Sequence, residues 1–161
     1  MDIRRATMAD AEAIRQIYNH EVTGSTATLD LVPRSVEEQA GWMNAHAGVY
    51  PVIVAHEGAE VVGFASLSPY RPRPGYATAV EDSIYVAEDH RAKGIGRELL
   101  TEAVAMARTH GFHSVVARVS ATQPASVALH QACGFDFVGV EREIGRKFGR
   151  WIDVAILQLL L

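Results

Sequence analysis

The chain has 161 residues, 48% of them hydrophobic, and a formal net charge of -4; that is enough for one well-filled core and too little for two ordinary domains, so residues 1–161 are expected to form a single domain. The acidic balance argues against charge-driven binding of nucleic acid, which needs a basic excess across a whole face. "MDIRRATMAD" has no apolar run of a signal peptide, the longest apolar stretch, "VAILQLLL", is too short to span a bilayer, and Cys133 has no partner within the chain, so a cytoplasmic protein engaging neither membrane nor nucleic acid is expected.

"DIRRA" reads as a short strand, and "MADAEAIRQIYNHEV" as a helix with Asp10 as its cap and Ala13, Ile14, Ile17 and Tyr18 at helical spacing. After the irregular "STATLDLVP", Ser35 and Glu38 have the form of a capping box that opens a second helix, "VEEQAGWMNAHA". "PVIVAHEGAEVVGFASLSPY" holds two apolar strands around a turn in which Gly58 supplies the positive φ of a hairpin. "ATAVEDSIYV" is another strand, "GIGRELLTEAVAMARTH" a helix ended by Gly111, "SVVARVS" a strand, and "PASVALHQAC" a helix opened by Pro124 and ended by Gly134. The remainder reads as two strands joined across a turn containing Gly and Lys or Arg.

The stretch "HRAKGIGRELL", residues 90–100, lies between a strand and a helix whose apolar residues Leu99, Leu100, Ala103, Val104 and Ala107 recur at helical spacing. Unpaired N–H groups at a helix start attract an anion, Gly94 and Gly96 let the backbone approach a bulky group, and Arg91, Lys93 and Arg97 add positive charge. A phosphate or pyrophosphate is the guest such a loop suits. No Lys-Ser or Lys-Thr follows either glycine, which excludes a P-loop, and Leu99 stands where a dinucleotide fingerprint needs its third glycine.

The loop resembles the pyrophosphate-binding loop of the GNAT N-acetyltransferase superfamily, with Arg91, Gly94 and Gly96 on its pattern. "IYNHEV" followed by "ST", "VEDSIYV", "SVALHQACGF" and "KFGRWIDVAILQL" are similar to the phosphinothricin acetyltransferase-like branch, which includes methionine sulfoximine and sulfone acetyltransferases, and these segments run along nearly the whole chain. The resemblance implies an α/β (α+β) fold: a mixed central sheet of six to seven strands, four helices, and a splayed parallel strand pair in the middle. It implies acetyl-CoA as co-substrate, with its pyrophosphate on Arg91, Ala92, Lys93, Gly94, Ile95, Gly96 and Arg97, its pantetheine beside Ile84, Tyr85 and Val86, and further contacts at Ser126 and Gln123. Gln123 departs from the Asn common in the family. The N–H near Val86 would steady the oxyanion. A small-molecule amine as substrate and a homodimer are implied as well.

Attack of an amine on a thioester needs a base. Glu81 holds the position to which this branch assigns that role, whereas a solvated pair with Asp82 at a strand edge is the plain alternative. His130 stands where relatives place a general acid for the leaving thiolate; a histidine packed at the end of the core is the other reading. Arg71, Arg73 and Tyr76 match substrate-holding positions of the branch and would suit a carboxylate or phosphinate, or else "RPRPGYATA" is an exposed loop. None of the seven histidines sits in a metal-ligand pattern, so no metal is expected. Trp42, Tyr50, Phe148 and Trp151 read as core or interface, and "KFGRW" as a dimer contact or pocket rim. A peptide N-terminal acetyltransferase, or a coenzyme sensor without catalysis, is the alternative function.

Overall fold

The fold is described from a computed structural model of residues 1–161. Seven strands, β1 (Asp2–Arg5), β2 (Val52–Glu57), β3 (Glu60–Pro69), β4 (Ala79–Val86), β5 (Ser114–Ser120), β6 (Asp136–Lys147) and β7 (Arg150–Leu160), form one sheet in the order β1-β2-β3-β4-β5-β7-β6. Only β4 and β5 run parallel. The helices are α1 (Ala11–Gly24), α2 (Val36–Ala45), α3 (Ile95–Thr109) and α4 (Pro124–Ala132). The expected mixed sheet with four helices is what forms.

The run "PVIVA" has no polar residue because β2 is covered on both faces. Ile53 and Ala55 pack with Leu99, Leu100 and Ala103 of α3, while Val52 and Val54 pack with Ile14, Tyr18 and Val22 of α1 and Met43 of α2. Each leucine buried in this way contributes about 1.5–3 kcal/mol. Gly63 lets α3 approach the sheet: a Cβ there would lie 3.0 Å from the Tyr85 carbonyl and 3.2 Å from Leu99.

The turn and cap signals act locally, as expected. Ser35 and Glu38 close a reciprocal capping box on α2, and Gly58, Gly111 and Gly134 all take positive φ. Asp10 differs. It stands at the cap position of α1, but its carboxylate takes a two-pronged hydrogen bond from Arg4, at 2.8 and 2.9 Å, and the Thr7 N–H at 2.7 Å, instead of capping α1. Arg4 offers two charged donors in one plane, which outweighs a single neutral N–H.

One irregularity of the sheet creates the site. β4 pairs with β3 from Val80 to Val86, and β5 pairs with β7 from Ser114 to Ser120, yet β4 and β5 pair with each other only at Ala79/Ser114, Val80/Val115 and Glu81/Val116. Beyond Glu81 the two parallel strands part.

Candidate active site

The gap between the parting strands is a cleft of about 510 Å³. Its β4 wall is a free strand edge. The Ala87 N–H bonds to the Val62 carbonyl on β3, so by the alternation of an antiparallel strand the main-chain groups of Val86, Ile84 and Asp82 point the other way, into the cleft. The opposite wall carries Ala117, Arg118 and Val119 of β5 and Gln123, Ser126 and His130 of the α4 segment.

The loop read from the sequence closes one end. Ala92 and Gly94 take φ of 59° and 87°, which turns successive N–H groups to one side in a concave nest. None of the N–H groups of residues 92–96 donates to another protein atom. Five consecutive free donors at the start of a 15-residue helix form an anion cradle, and neither Lys93 nor Arg97 is tied up in an ion pair. Arg91 departs from expectation: its guanidinium pairs with the buried Glu21 of α1 and donates to the Val86 carbonyl at 3.2 Å. It braces the loop against α1, because the buried Glu21 carboxylate would otherwise be left as an uncompensated charge. Gly96 serves packing, since a Cβ there would lie 3.2 Å from Leu129 of α4.

Alternation along β4 sends the other candidates to opposite faces. Ile84 and Val86 face α3, whereas the Tyr85 ring stacks on Phe64 at 5.3 Å and meets Tyr18 edge-on at 5.2 Å on the α1 side; burial drives its phenol pKa upward. Tyr85 therefore belongs to the α1 side, and its main-chain groups pair with Phe64 on β3. Glu81 sits at the point where the strands part. Burial pushes its carboxyl pKa up, and the nearby Arg118 charge partly opposes this. The Arg118 Nε lies 3.9 Å from Glu81, and its fork closes on Glu141 of β6 at 2.5 and 3.3 Å. The Glu141 carboxyl is held below its usual range by that contact.

Asp82 and His130 were not linked in the sequence, but the structure joins them. His130 Nε2 lies 2.9 Å from Asp82 Oδ2 with both side chains buried, and His130 Nδ1 is 2.7 Å from the Ser126 carbonyl. Thus Asp82 is no solvated partner of Glu81: it turns to the other face and is 6% exposed. Gln123 makes no side-chain hydrogen bond; its carbonyl takes the Ser126 and Val127 N–H groups at the start of α4.

The residues of the "RPRPGYATA" segment are partly gathered. Arg71 lies over the Tyr70 ring at 5.0 Å, Tyr76 meets Tyr70 edge-on at 5.6 Å, and the Arg71 charge acts on both Glu81 and Glu141. The Arg73 carbonyl accepts the Tyr76 N–H at 2.9 Å, while its guanidinium enters no ion pair. Within "KFGRW" only Lys147 is buried. Its ammonium turns inward to the Thr28 and Glu21 carbonyls, at 2.8 and 3.4 Å, pinning the segment after α1, while Phe148 and Trp151 stay exposed. Trp42 and Tyr50 pack on the core. Glu21, Asp82, Arg118 and Glu141 carry no local pattern, so their roles were hidden until the fold brought their partners to them. No group of three His, Cys, Asp or Glu side chains is placed to hold a metal, and no helix is long and apolar enough to cross a membrane.

Comparison with known proteins gives consistent likenesses. Residues 3–156 match the family model described as an acetyltransferase (GNAT) domain. The chain is 40% identical to the L-methionine sulfoximine/L-methionine sulfone acetyltransferase of Pseudomonas paraeruginosa, over 99% of this chain and 94% of that protein. It is 37% identical to the phosphinothricin N-acetyltransferase of Streptomyces coelicolor, over 96% and 93%. Among solved structures, a ribosomal-protein-alanine N-acetyltransferase from Brucella melitensis gives a TM-score of 0.97 at 39% identity, covering 100% of both chains. A phosphinothricin acetyltransferase from Sinorhizobium meliloti in complex with acetyl-CoA gives 0.96 at 38% identity, covering 99% of this chain and 88% of the other.

Proposed function

The chain belongs to the GNAT acetyltransferase family, whose co-substrate is acetyl-CoA, and from that premise we propose that it acetylates the α-amino group of a small amino acid of the methionine sulfoximine, methionine sulfone or phosphinothricin type. The observation that carries the reading is a cleft with a β4 edge along one wall and five unpaired N–H groups at its end, with Glu81 beside it at the last paired position before the strands diverge. These residues fit a molecule with a pyrophosphate at one end and amides along its length.

In this reading the N–H groups of Ala92 to Gly96, with Lys93 and Arg97, hold the pyrophosphate. The β4 edge at Ile84 and Val86 pairs with the pantetheine amides, and Gln123 and Ser126 contact it from the other wall. Glu81 takes the proton that the attacking amine must lose. Its upward shift, caused first by burial, brings a carboxylate closer to the working pH, where a general base is most effective. His130 returns a proton to the sulfur as the carbon–sulfur bond breaks. Arg71, Arg73 and Tyr76 hold the acidic group of the acceptor, for which the paired Arg forks suit two oxygen atoms. A homodimer belongs to the same reading: β6 is an edge strand whose Val138, Ile144 and the neighbouring Trp151 are exposed, and sedimentation analysis tests it. Peptide acceptors form the second reading, favoured by the likeness to the Brucella melitensis protein.

The test is acetyl-CoA-dependent thiol release over methionine sulfoximine, methionine sulfone, phosphinothricin, ordinary amino acids, polyamines and alanine-terminated peptides, with Glu81→Gln alongside. Turnover confined to the tetrahedral amino acids, and lowered by Glu81→Gln with coenzyme affinity retained, is the expected result. Turnover on peptides alone would replace the substrate assignment, and full activity of Glu81→Gln across pH 6 to 9 would remove it as base.

A further inference from the structure

His130 has no free ring nitrogen. Nδ1 faces the Ser126 carbonyl at 2.7 Å and Nε2 faces Asp82 Oδ2 at 2.9 Å. A carbonyl oxygen cannot donate, so Nδ1 must carry a proton. One further proton then lies between Nε2 and Oδ2. Without it, a lone pair would point at a carboxylate lone pair in a site where the two side chains are 4% and 1% exposed, which a low-dielectric interior penalises heavily. The geometry is that of a buried imidazolium–carboxylate pair.

We propose that Asp82 is a positioning residue that keeps His130 charged inside the cleft, so that the protein holds a proton in reserve where the coenzyme thiolate leaves. The inference rests on the reading of His130 as the proton donor. Burial by itself disfavours a charged imidazole, but the hydrogen bond and charge of Asp82 outweigh it, and the net direction for His130 is upward. Its other neighbour is apolar: the Phe135 ring meets it edge-on at 5.1 Å. The other titratable groups nearby are Cys133 at the end of α4, on whose thiol the Asp82 charge acts, and Arg97 of α3, whose charge also reaches Cys133. Glu81, although adjacent in sequence, faces the opposite side of the sheet toward Arg118. Asp82 also keeps one oxygen, Oδ1, buried and without any donor while it lines the cleft. That orphaned acceptor is available to a donor group of the molecule that enters.

The proton balance closes. When the acceptor nitrogen bonds to the acetyl carbon, the carbon–sulfur bond breaks and its electron pair stays on sulfur. The proton shared by His130 Nε2 and Asp82 Oδ2 passes to that sulfur, leaving an imidazole protonated only at Nδ1, and the cost of leaving Nε2 bare against the carboxylate draws the next proton in from solvent. Asp82 remains a carboxylate, Glu81 holds the proton lost by the amine, and solvent exchange restores both groups.

The experiment reads the ring directly. In the full-length protein labelled with nitrogen-15 and carrying no ligand, the imidazole resonances of His130 are followed through a pH titration, in the wild type and in Asp82→Asn. The expected result is a doubly protonated ring that titrates above the ordinary histidine range in the wild type and below it in Asp82→Asn, where only the Ser126 carbonyl is left to oppose burial. The alkaline limb of kcat/KM should move to lower pH in the same variant. A wild-type ring that is neutral at pH 7, or a titration that Asp82→Asn leaves in place, overturns the proposal; the wild-type titration decides even if the variant does not fold. His130→Gln separates the premise: if it retains the alkaline limb while the ring titrates as expected, the donor role of His130 falls and the hold of Asp82 on the ring stands.

Discussion

Replacing Arg118 by Gln removes the positive charge nearest to Glu81. At the observed 3.9 Å, two unit charges attract by about 1 kcal/mol in water and about 4 kcal/mol at an effective dielectric of about 20. At about 1.4 kcal/mol for each pH unit, this brackets a change of about one to three units. The lower end applies, because the Arg118 fork is bonded to Glu141 and its charge is largely satisfied there. The sign follows from the direction of each effect. Burial raises the Glu81 pKa and Arg118 restrains it, so without Arg118 the carboxyl stays protonated to higher pH. The acidic limb of kcat/KM should therefore move up by about one pH unit, costing about tenfold in rate below that limb and little above it. Glu141→Gln should act in the opposite sense, because it leaves the whole Arg118 charge to Glu81. Full pH profiles of both variants with saturating acetyl-CoA make the measurement. Acidic limbs that stay fixed, or that move together in one direction, would refute the electrostatic coupling.

Gly96→Asp should weaken acetyl-CoA binding by about tenfold or more, the worth of one or two charge-assisted hydrogen bonds, because it places a negative charge at the cradle and a Cβ 3.2 Å from Leu129; calorimetry that shows unchanged affinity would remove the loop from the coenzyme site. Arg73→Ala should raise the KM for anionic amino acids by about three- to tenfold and that for uncharged amines far less. Arg71→Ala should do the same and also move the acidic limb, since Arg71 acts on Glu81 and Arg73 enters no ion pair. Equal effects on both acceptor classes would count against an anion clamp.

The parts of this protein legible in its sequence are those whose cause is local. The Ser35–Glu38 capping box, the positive φ of Gly58, the helix ends at Gly111 and Gly134, and the apolar stripe of α3 each depend on residues within one or two turns. The anion cradle belongs with them, because a glycine loop opening a helix makes its own free donors. The identity of side-chain partners does not. His130 meets Asp82 across 48 positions, Arg91 meets Glu21 across 70, and Lys147 reaches Thr28 across 119.

Those pairings depend on which face each strand residue takes and on how the chain crosses over. The single-residue alternation of β4 sends Glu81 and Asp82, neighbours in sequence, to opposite sides of the sheet, one to an arginine pair and the other to a buried histidine. The early parting of β4 from β5 is likewise a property of the assembled sheet, set by what β3 and β7 hold on either side. Sequence alone thus determined the elements, the cradle and the family of chemistry. The tertiary structure decided which carboxylate meets which cation, because burial and distance, not residue type, set the energy of a charge.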